Sequence, residues 1–203
     1  MKSGAQSIDA RILSRIYGSK RGSVFTPGDF LDLGNRSAVD LVLHRLVKRQ
    51  VLRRLARGIY DYPRTHPVLG TLSPDIQKVA KALAGKDRLR FQPAGAYAAN
   101  LLGLSEQVPA KIVFLTDGPS RTVTIGKQEI HLRRTTPRNM AAAGELSGLL
   151  IQAFRSLGEQ HITTKRMAHL KRVLPEKERR RLLKDLPLAP TWMHPLFREL
   201  AES

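Results

Sequence analysis

NRSAVDLVLHRLVKRQVLRRLARGIYDYP, residues 35–63, changes its apolar period once, and that change decides how the chain begins to fold. Val39, Val42, Leu43, Leu46 and Val47 recur at i, i+3, i+4, i+7 and i+8, which predicts a helix from near Asn35 to about Arg49 with one core-facing stripe. At about 100° per residue the opposite face collects Ser37, Leu41, His44 and Lys48, flanked by Arg45, while Arg36 projects from the first turn. From Val51 the pattern shortens. Val51–Leu55 reads as a strand, Ala56-Arg57-Gly58 as its turn, and Ile59–Tyr62 as the returning strand, stopped by Pro63.

Upstream, Ile8, Ile12, Leu13, Ile16 and Tyr17 predict a first helix over residues 7–19, closed by Gly18 and Gly22. Thr26-Pro27 then starts a second, short helix, with Thr26 as the N-cap and Asp29 near its positive end. Phe30, Leu31 and Leu33 form its apolar side, and Gly34 ends it after about two turns. Three helices with a short turn between the second and third, followed by a basic hairpin, make a winged helix-turn-helix. A helix exposed along its N-terminal half can enter the major groove and touch base edges, while cations at its far end and on the wing neutralise phosphates. Leu41 is the loose end on the polar face: it either meets a thymine methyl or is covered by the first helix. A winged helix can also serve as a protein-interaction module.

Charge favours nucleic acid. The 203 residues include 35 Lys+Arg and 17 Asp+Glu, a formal charge of +18. An excess of that size points to a polyanion, either nucleic acid or an anionic membrane surface. Residues 1–66 hold 13 basic and 5 acidic residues, net +8, and residues 67–203 hold 22 and 12, net +10. In the first part Arg45, Lys48, Arg49, Arg53, Arg54 and Arg57 fall within thirteen residues that contain no acid, on the helix end and wing rather than on an amphipathic membrane helix. A second concentration, Lys165–Lys184, holds nine basic residues against Glu176 and Glu178 and matches no motif. There is no cysteine, which excludes disulfides, thiol nucleophiles and Cys-based metal sites. No apolar run approaches a membrane span, and Met1-Lys2-Ser3-Gly4 opens no signal-peptide core, so the expectation is a soluble, cytoplasmic protein.

The division is placed after His66, with a winged-helix domain over residues 1–66 and an α+β domain over 67–203. In the second, Ser73-Pro74 caps a helix that Gly85 ends. Leu89-Arg90-Phe91 is a short strand, and Gly95–Leu102 is a small-residue core helix ended by Gly103. Lys111–Leu115 is a buried strand, and Arg121–Ile125 pairs with Gln128–Arg133 across Gly126-Lys127. The rest is helical: a stripe from Leu146 to Leu157, then helices around Lys165–Val173, Glu176–Leu186 and His194–Ala201. The fold class is α+β, a small sheet followed by a helical C-terminal half.

Catalytic signatures are scarce. The six histidines form no HxxxH or HExxH spacing, and there is no Walker A loop, GxGxxG or GxSxG. One carboxylate arrangement merits attention: Asp117 at a strand end with Glu129-Ile130-His131 on a later strand. Metal-dependent nucleases place an Asp and a Glu-x-Lys on adjacent strands, but the third position here is His131. No catalytic, metal or cofactor site is assigned.

The segment Leu55-Ala56-Arg57-Gly58-Ile59-Tyr60-Asp61-Tyr62-Pro63, followed by Gly95–Leu104 (GAYAANLLGL) and then Val108-Pro109 before an apolar strand, resembles the AbiEi family from about residue 7 to about 160. These are the antitoxins and transcriptional regulators of AbiE-type (type IV) toxin–antitoxin systems. The resemblance implies a non-enzymatic two-domain protein. Its winged helix would bind inverted repeats in duplex DNA of its own promoter, and its C-terminal domain would counteract a toxin with a nucleotidyltransferase fold, often without a stable complex. Carried over, the DNA-reading positions are Arg36, Ser37 and His44, with Arg53, Arg54 and Arg57 on the wing. Arg45, Lys48 and Arg49 supply phosphate contacts at the helix end. The region Lys165–Lys184 departs from the matched parts; it either extends the DNA-binding surface or belongs to this branch alone.

Overall fold

The computed structural model describes residues 7–87, 89–107, 109–126 and 128–202. Met1–Gly4, Val108 of the Val-Pro step and Lys127 of the hairpin turn, all invoked above, lie outside the described residues. The chain is α+β and divides into two units, Met1–Arg88 and Leu89–Ser203.

In the first unit α1 (Ile8–Gly18) starts at Ser7, whose hydroxyl accepts the Ala10 N–H at 3.3 Å, and it buries Ile12 and Ile16. A two-residue strand β1 (Val24–Phe25) follows, too short for any periodicity to reveal. The predicted second helix is a single 3-10 turn, Pro27–Phe30, closed by a capping box in which the Asp29 carboxylate accepts the Thr26 N–H at 2.6 Å. The bonds that continue it, from Leu31 N–H to Gly28 O and Leu33 N–H to Phe30 O, are of the i→i+3 kind, so no second α-turn forms.

Helix α2 (Arg36–Lys48) is where the periodicity put it. Asn35 Oδ1 accepts the Ala38 N–H at 2.9 Å, and Val39, Val42, Leu43 and Leu46 are buried. Gln50 ends it with φ 58°; its N–H donates to Val47 O, and the Val51 N–H donates to Leu46 O, each at 3.0 Å. That is a Schellman stop with a side chain where glycine is usual.

Strands β2 (Arg53–Ala56) and β3 (Ile59–Asp61) form the expected hairpin, with Gly58 at φ 70° in its turn and a register irregularity between Arg54 and Ala56. β1 joins the far side of β3, giving a three-stranded antiparallel sheet in the order β1-β3-β2. Phe25, Phe30, Leu52 and Tyr60 complete a core with the apolar faces of α1 and α2.

A second small hairpin, β4 (Thr65–His66) with β5 (Gly70–Thr71), precedes α3 (Ile76–Asp87). The cap of α3 is Asp75, which accepts the Gln77 and Lys78 N–H groups at 2.9 and 3.3 Å, rather than Ser73-Pro74. Gly85 does not end the helix. Because α3 packs on β1 and β3, it belongs to the first unit, and the division falls after Arg88 instead of after His66.

The second unit has a four-stranded sheet in the order β6-β7-β9-β8, made of β6 (Phe91–Ala94), β7 (Lys111–Thr116), β8 (Arg121–Ile125) and β9 (Gln128–Arg134). The β8–β9 hairpin inserts β9 parallel to β7, and the other pairings are antiparallel. β6 begins two residues later than predicted and runs through Pro93, which an edge strand tolerates.

β6 leads into α4 (Gly95–Leu101). Ala98 and Ala99 are buried on α4, and α4 packs on α6 (Leu146–Leu157), the predicted Leu/Phe stripe. Between sheet and stripe lies α5 (Pro137–Met140), one turn that no pattern announced. Gly148 lets α6 approach the preceding loop: a Cβ there would stand 2.1 Å from the Ala142 carbonyl oxygen.

α7 (Thr164–Val173), α8 (Glu176–Arg181) and α9 (His194–Ala201) close the core around Phe154, Leu170, Met193, Phe197 and Leu200. α8 stops five residues short of the predicted Leu186, because the bonds that follow it, from Leu182 N–H to Arg179 O, Lys184 N–H to Arg181 O and Asp185 N–H to Leu182 O, are of the i→i+3 kind. Among the described residues no helix is long and apolar enough to cross a membrane.

Candidate nucleic-acid interface

The exposed face of α2 is built by default: with its stripe committed to the core, the other side has nowhere to go but solvent. Ser37, Leu41, His44 and Lys48 are all exposed on it, and Leu41 is uncovered at 56%. Asn35 satisfies the first turn through its own side chain, so the residues after it point outward from a fixed helix start.

The basic residues of this region do not form one class. Six cations free of acidic neighbours in sequence were expected; two have acids in space. Arg45 Nη2 lies 2.8 Å from Asp9 Oδ1, tying α2 to α1. Arg53 faces Asp61 directly across the β2–β3 ladder and binds it through two hydrogen bonds, Nε at 3.0 Å and Nη2 at 2.6 Å. Nη2 also donates to the Leu72 carbonyl at 3.1 Å. Asp61 is 1% exposed, so Arg53 neutralises a buried carboxylate and is committed to the fold.

Outside that group of six, Arg36 is engaged as well, by Asp40 one turn along α2 at 2.9 Å, but both side chains are about half exposed and water competes for the pair. Lys48, Arg49 and Arg54 are exposed and have no acidic partner among the described residues. Arg57 stands exposed beside Gly58 at the hairpin turn and has a contact of its own. Lys48 and Arg49 sit at the helix C-terminus, where a cation is favoured by the peptide dipoles.

Two cations of α3, Lys78 and Lys81, escaped sequence reading. They line, together with Arg15 and Arg36, a cleft of about 870 Å³ along the first unit. Their signal was hidden because α3 was assigned to the other domain. Arg15 is held there by Asp32 through two 2.7 Å bonds. The guanidinium hydrogen bond keeps the Asp32 carboxyl below the usual carboxylate range, and the same bond raises Arg15.

Part of the second basic run is structural. Arg179 is buried, and its Nη1 donates to the carbonyls of Leu200 and Glu202 at the end of α9. Arg180 pairs with Glu176, Arg181 with Glu145 and Glu178, and Lys171 with Glu199. Arg166 donates to the His161 carbonyl. Arg179 and Lys171 tie α8 and α7 to α9, whereas the Arg180–Glu176 and Arg181–Glu178 pairs lie within α8 and are exposed. Lys165 and Arg172 remain exposed along α7, beside a cleft of about 1020 Å³.

Asp117 and Glu129 do not converge. β7 and β9 run parallel with Lys111 opposite Glu129, and Asp117 follows the far end of β7, so the two carboxylates are separated by six strand residues, about 20 Å. Asp117 is held instead by Arg90, which donates from its backbone N–H and Nε, both at 2.9 Å. The side-chain hydrogen bond keeps that carboxyl low. Glu129 lies 3.2 Å from His131. Among the described residues no three His, Asp or Glu side chains are grouped to hold a metal ion.

No curated protein matches the sequence. Among solved structures, the RV2827C protein from Mycobacterium tuberculosis is similar at 17% identity, covering 98% of this chain and 84% of that one, with a TM-score of 0.48. Residues 11–182 match a family model described as a family of unknown function, DUF6088. That match spans both units and most of the chain, and the protein therefore belongs to the DUF6088 family.

Proposed function

We propose that this protein is a non-enzymatic, sequence-specific DNA-binding regulator whose first unit works as a winged helix-turn-helix. In this reading α2 is the recognition helix and the β2–β3 hairpin is the wing. The observation that carries it is the exposed face of α2, with Ser37, Leu41 and His44 clear of the core and Lys48, Arg49 and Arg54 beside them with no acidic partner among the described residues. Phosphates would supply the missing counter-charge, Ser37 and His44 would meet base edges, and Leu41 fits a thymine methyl. Arg45 and Arg53 leave the set of phosphate contacts, since Asp9 and Asp61 occupy them.

The likeness of residues 95–104 to the AbiEi segment supports the narrower role of an autoregulatory, cytoplasmic antitoxin opposing a toxin with a nucleotidyltransferase fold. That segment builds α4 and its glycine stop, with Gly103 at φ 67° and Leu104 buried. The test is a mobility shift with the duplex upstream of its own reading frame. Ser37→Ala and His44→Ala should change the order of preference among half-site variants while leaving binding to random duplex as in wild type. No shift with any duplex, together with a stable complex with a neighbouring nucleotidyltransferase, would replace this reading with a protein-interaction antitoxin.

A further inference from the structure

A second site with the chemistry to take a ligand lies wholly inside the second unit. Where β9 ends, a cleft of about 270 Å³ is lined by Arg133 and Thr135 from that end, Asn139 from α5, and Gln152, Arg155 and Ser156 from α6. Residues 152, 155 and 156 share one helical face, so α6 presents three polar groups to one spot. Among the described residues no carboxylate lines the cleft, whereas two arginines do.

Arg155 is pre-oriented. Its Nη1 donates to Asn139 Oδ1 at 3.0 Å, and Asn139 Nδ2 donates in turn to Thr135 Oγ1 at 2.9 Å, which leaves the other guanidinium edge open. Gln152 is the telling residue. It is 7% exposed and makes no hydrogen bond to the described residues, yet its side chain lines this cleft. Neither amide atom is sealed from solvent, so both are open to whatever enters the cleft.

We propose that this cleft binds the phosphate group of a small phosphomonoester. Two arginines match the nearly doubly charged phosphate at neutral pH, where a carboxylate would need one. The amide and hydroxyl groups of Gln152, Thr135 and Ser156 supply donors for its remaining oxygens. The volume, about 270 Å³, falls just below the roughly 300–1,000 Å³ of drug-sized ligand pockets and suits a phosphate with a compact organic group.

The test is calorimetric titration of the full chain, at constant ionic strength with chloride as the balancing anion, using inorganic phosphate, ribose 5-phosphate and AMP. Saturable binding of phosphate or an ester is expected, weakened about tenfold or more in Arg133→Met and in Arg155→Met and unchanged in Lys177→Met, which removes an exposed charge elsewhere. Arg133→Met carries the test if Arg155→Met does not fold, because the Arg133 side chain is exposed and makes no bond to the described residues. No saturable binding of any of the three, or binding indifferent to both arginines, overturns the proposal. If both substitutions weaken a short duplex as strongly as phosphate, the cleft is a nucleic-acid contact and the small-ligand assignment is overturned. Neither failure touches the role given to α2, whose residues none of these variants alters.

Discussion

Arg53 and Arg54 are sequence neighbours of identical chemistry to which the structure gives opposite work, and alanine substitutions should separate them. In Arg53→Ala the Asp61 carboxylate, 1% exposed, loses a bidentate partner at 2.6 and 3.0 Å. Breaking a buried pair from one side costs about 3–5 kcal/mol. The Arg53 side chain is 32% exposed, so water enters more easily and about 2–3 kcal/mol is expected. For a unit of this size that lowers the melting midpoint by roughly 10–20 °C. Arg54 is exposed and has no acidic partner among the described residues; its removal should change stability by less than about 0.5 kcal/mol. If it neutralises a phosphate, its loss reduces the slope of log K against log salt by about 0.9. The assay is thermal melting beside a salt series of duplex binding for both variants. The reasoning is refuted if Arg53→Ala melts as wild type does, or if Arg54→Ala melts as early as Arg53→Ala.

Two further perturbations test the local physics. Gln50→Gly places the favoured residue at the left-handed stop of α2, and chemical denaturation should show a gain of about 0.5–1 kcal/mol; a loss would mean that the Gln50 side chain contributes more than its backbone strain costs. Because Arg90 holds the Asp117 carboxyl below its ordinary value, the pair's contribution is complete above the ordinary carboxylate pKa of about 3.9 and fades as pH falls through the lower folded value. Melting curves of wild type and Arg90→Met should therefore differ at neutral pH and converge in strong acid, and a gap that persists unchanged to the lowest pH would count against the pair.

What was legible in the sequence was what long periods carry. α1, α2 and α6 follow their apolar stripes closely, because each repeats its signal over two or more turns, and β8 and β9 pair as a hairpin over the segments expected. Elements set by tertiary partners were not legible. β1 is two residues that become a strand only because β3 offers an edge, and α5 is a single turn after Thr136. The division was misplaced for the same reason: nothing local in Ile76–Asp87 says that its apolar face belongs with β1 and β3. The site was half legible. Helical geometry alone put Ser37, Leu41, His44 and Lys48 on one exposed face, but the acids that occupy Arg45 and Arg53, Asp9 and Asp61, are distant enough in sequence or sufficiently hidden by strand pairing that counting charges in a window missed them.

The most direct test of the central claim is the salt dependence of binding to the upstream duplex, measured for wild type and for a Lys48→Ala, Arg49→Ala, Arg54→Ala triple variant. A steep negative log–log slope is expected for wild type, shallower by about 2.7 in the triple variant, together with a melting midpoint close to that of wild type. A folded triple variant that binds with the wild-type slope and affinity would show that α2 and the β2–β3 hairpin do not face the DNA.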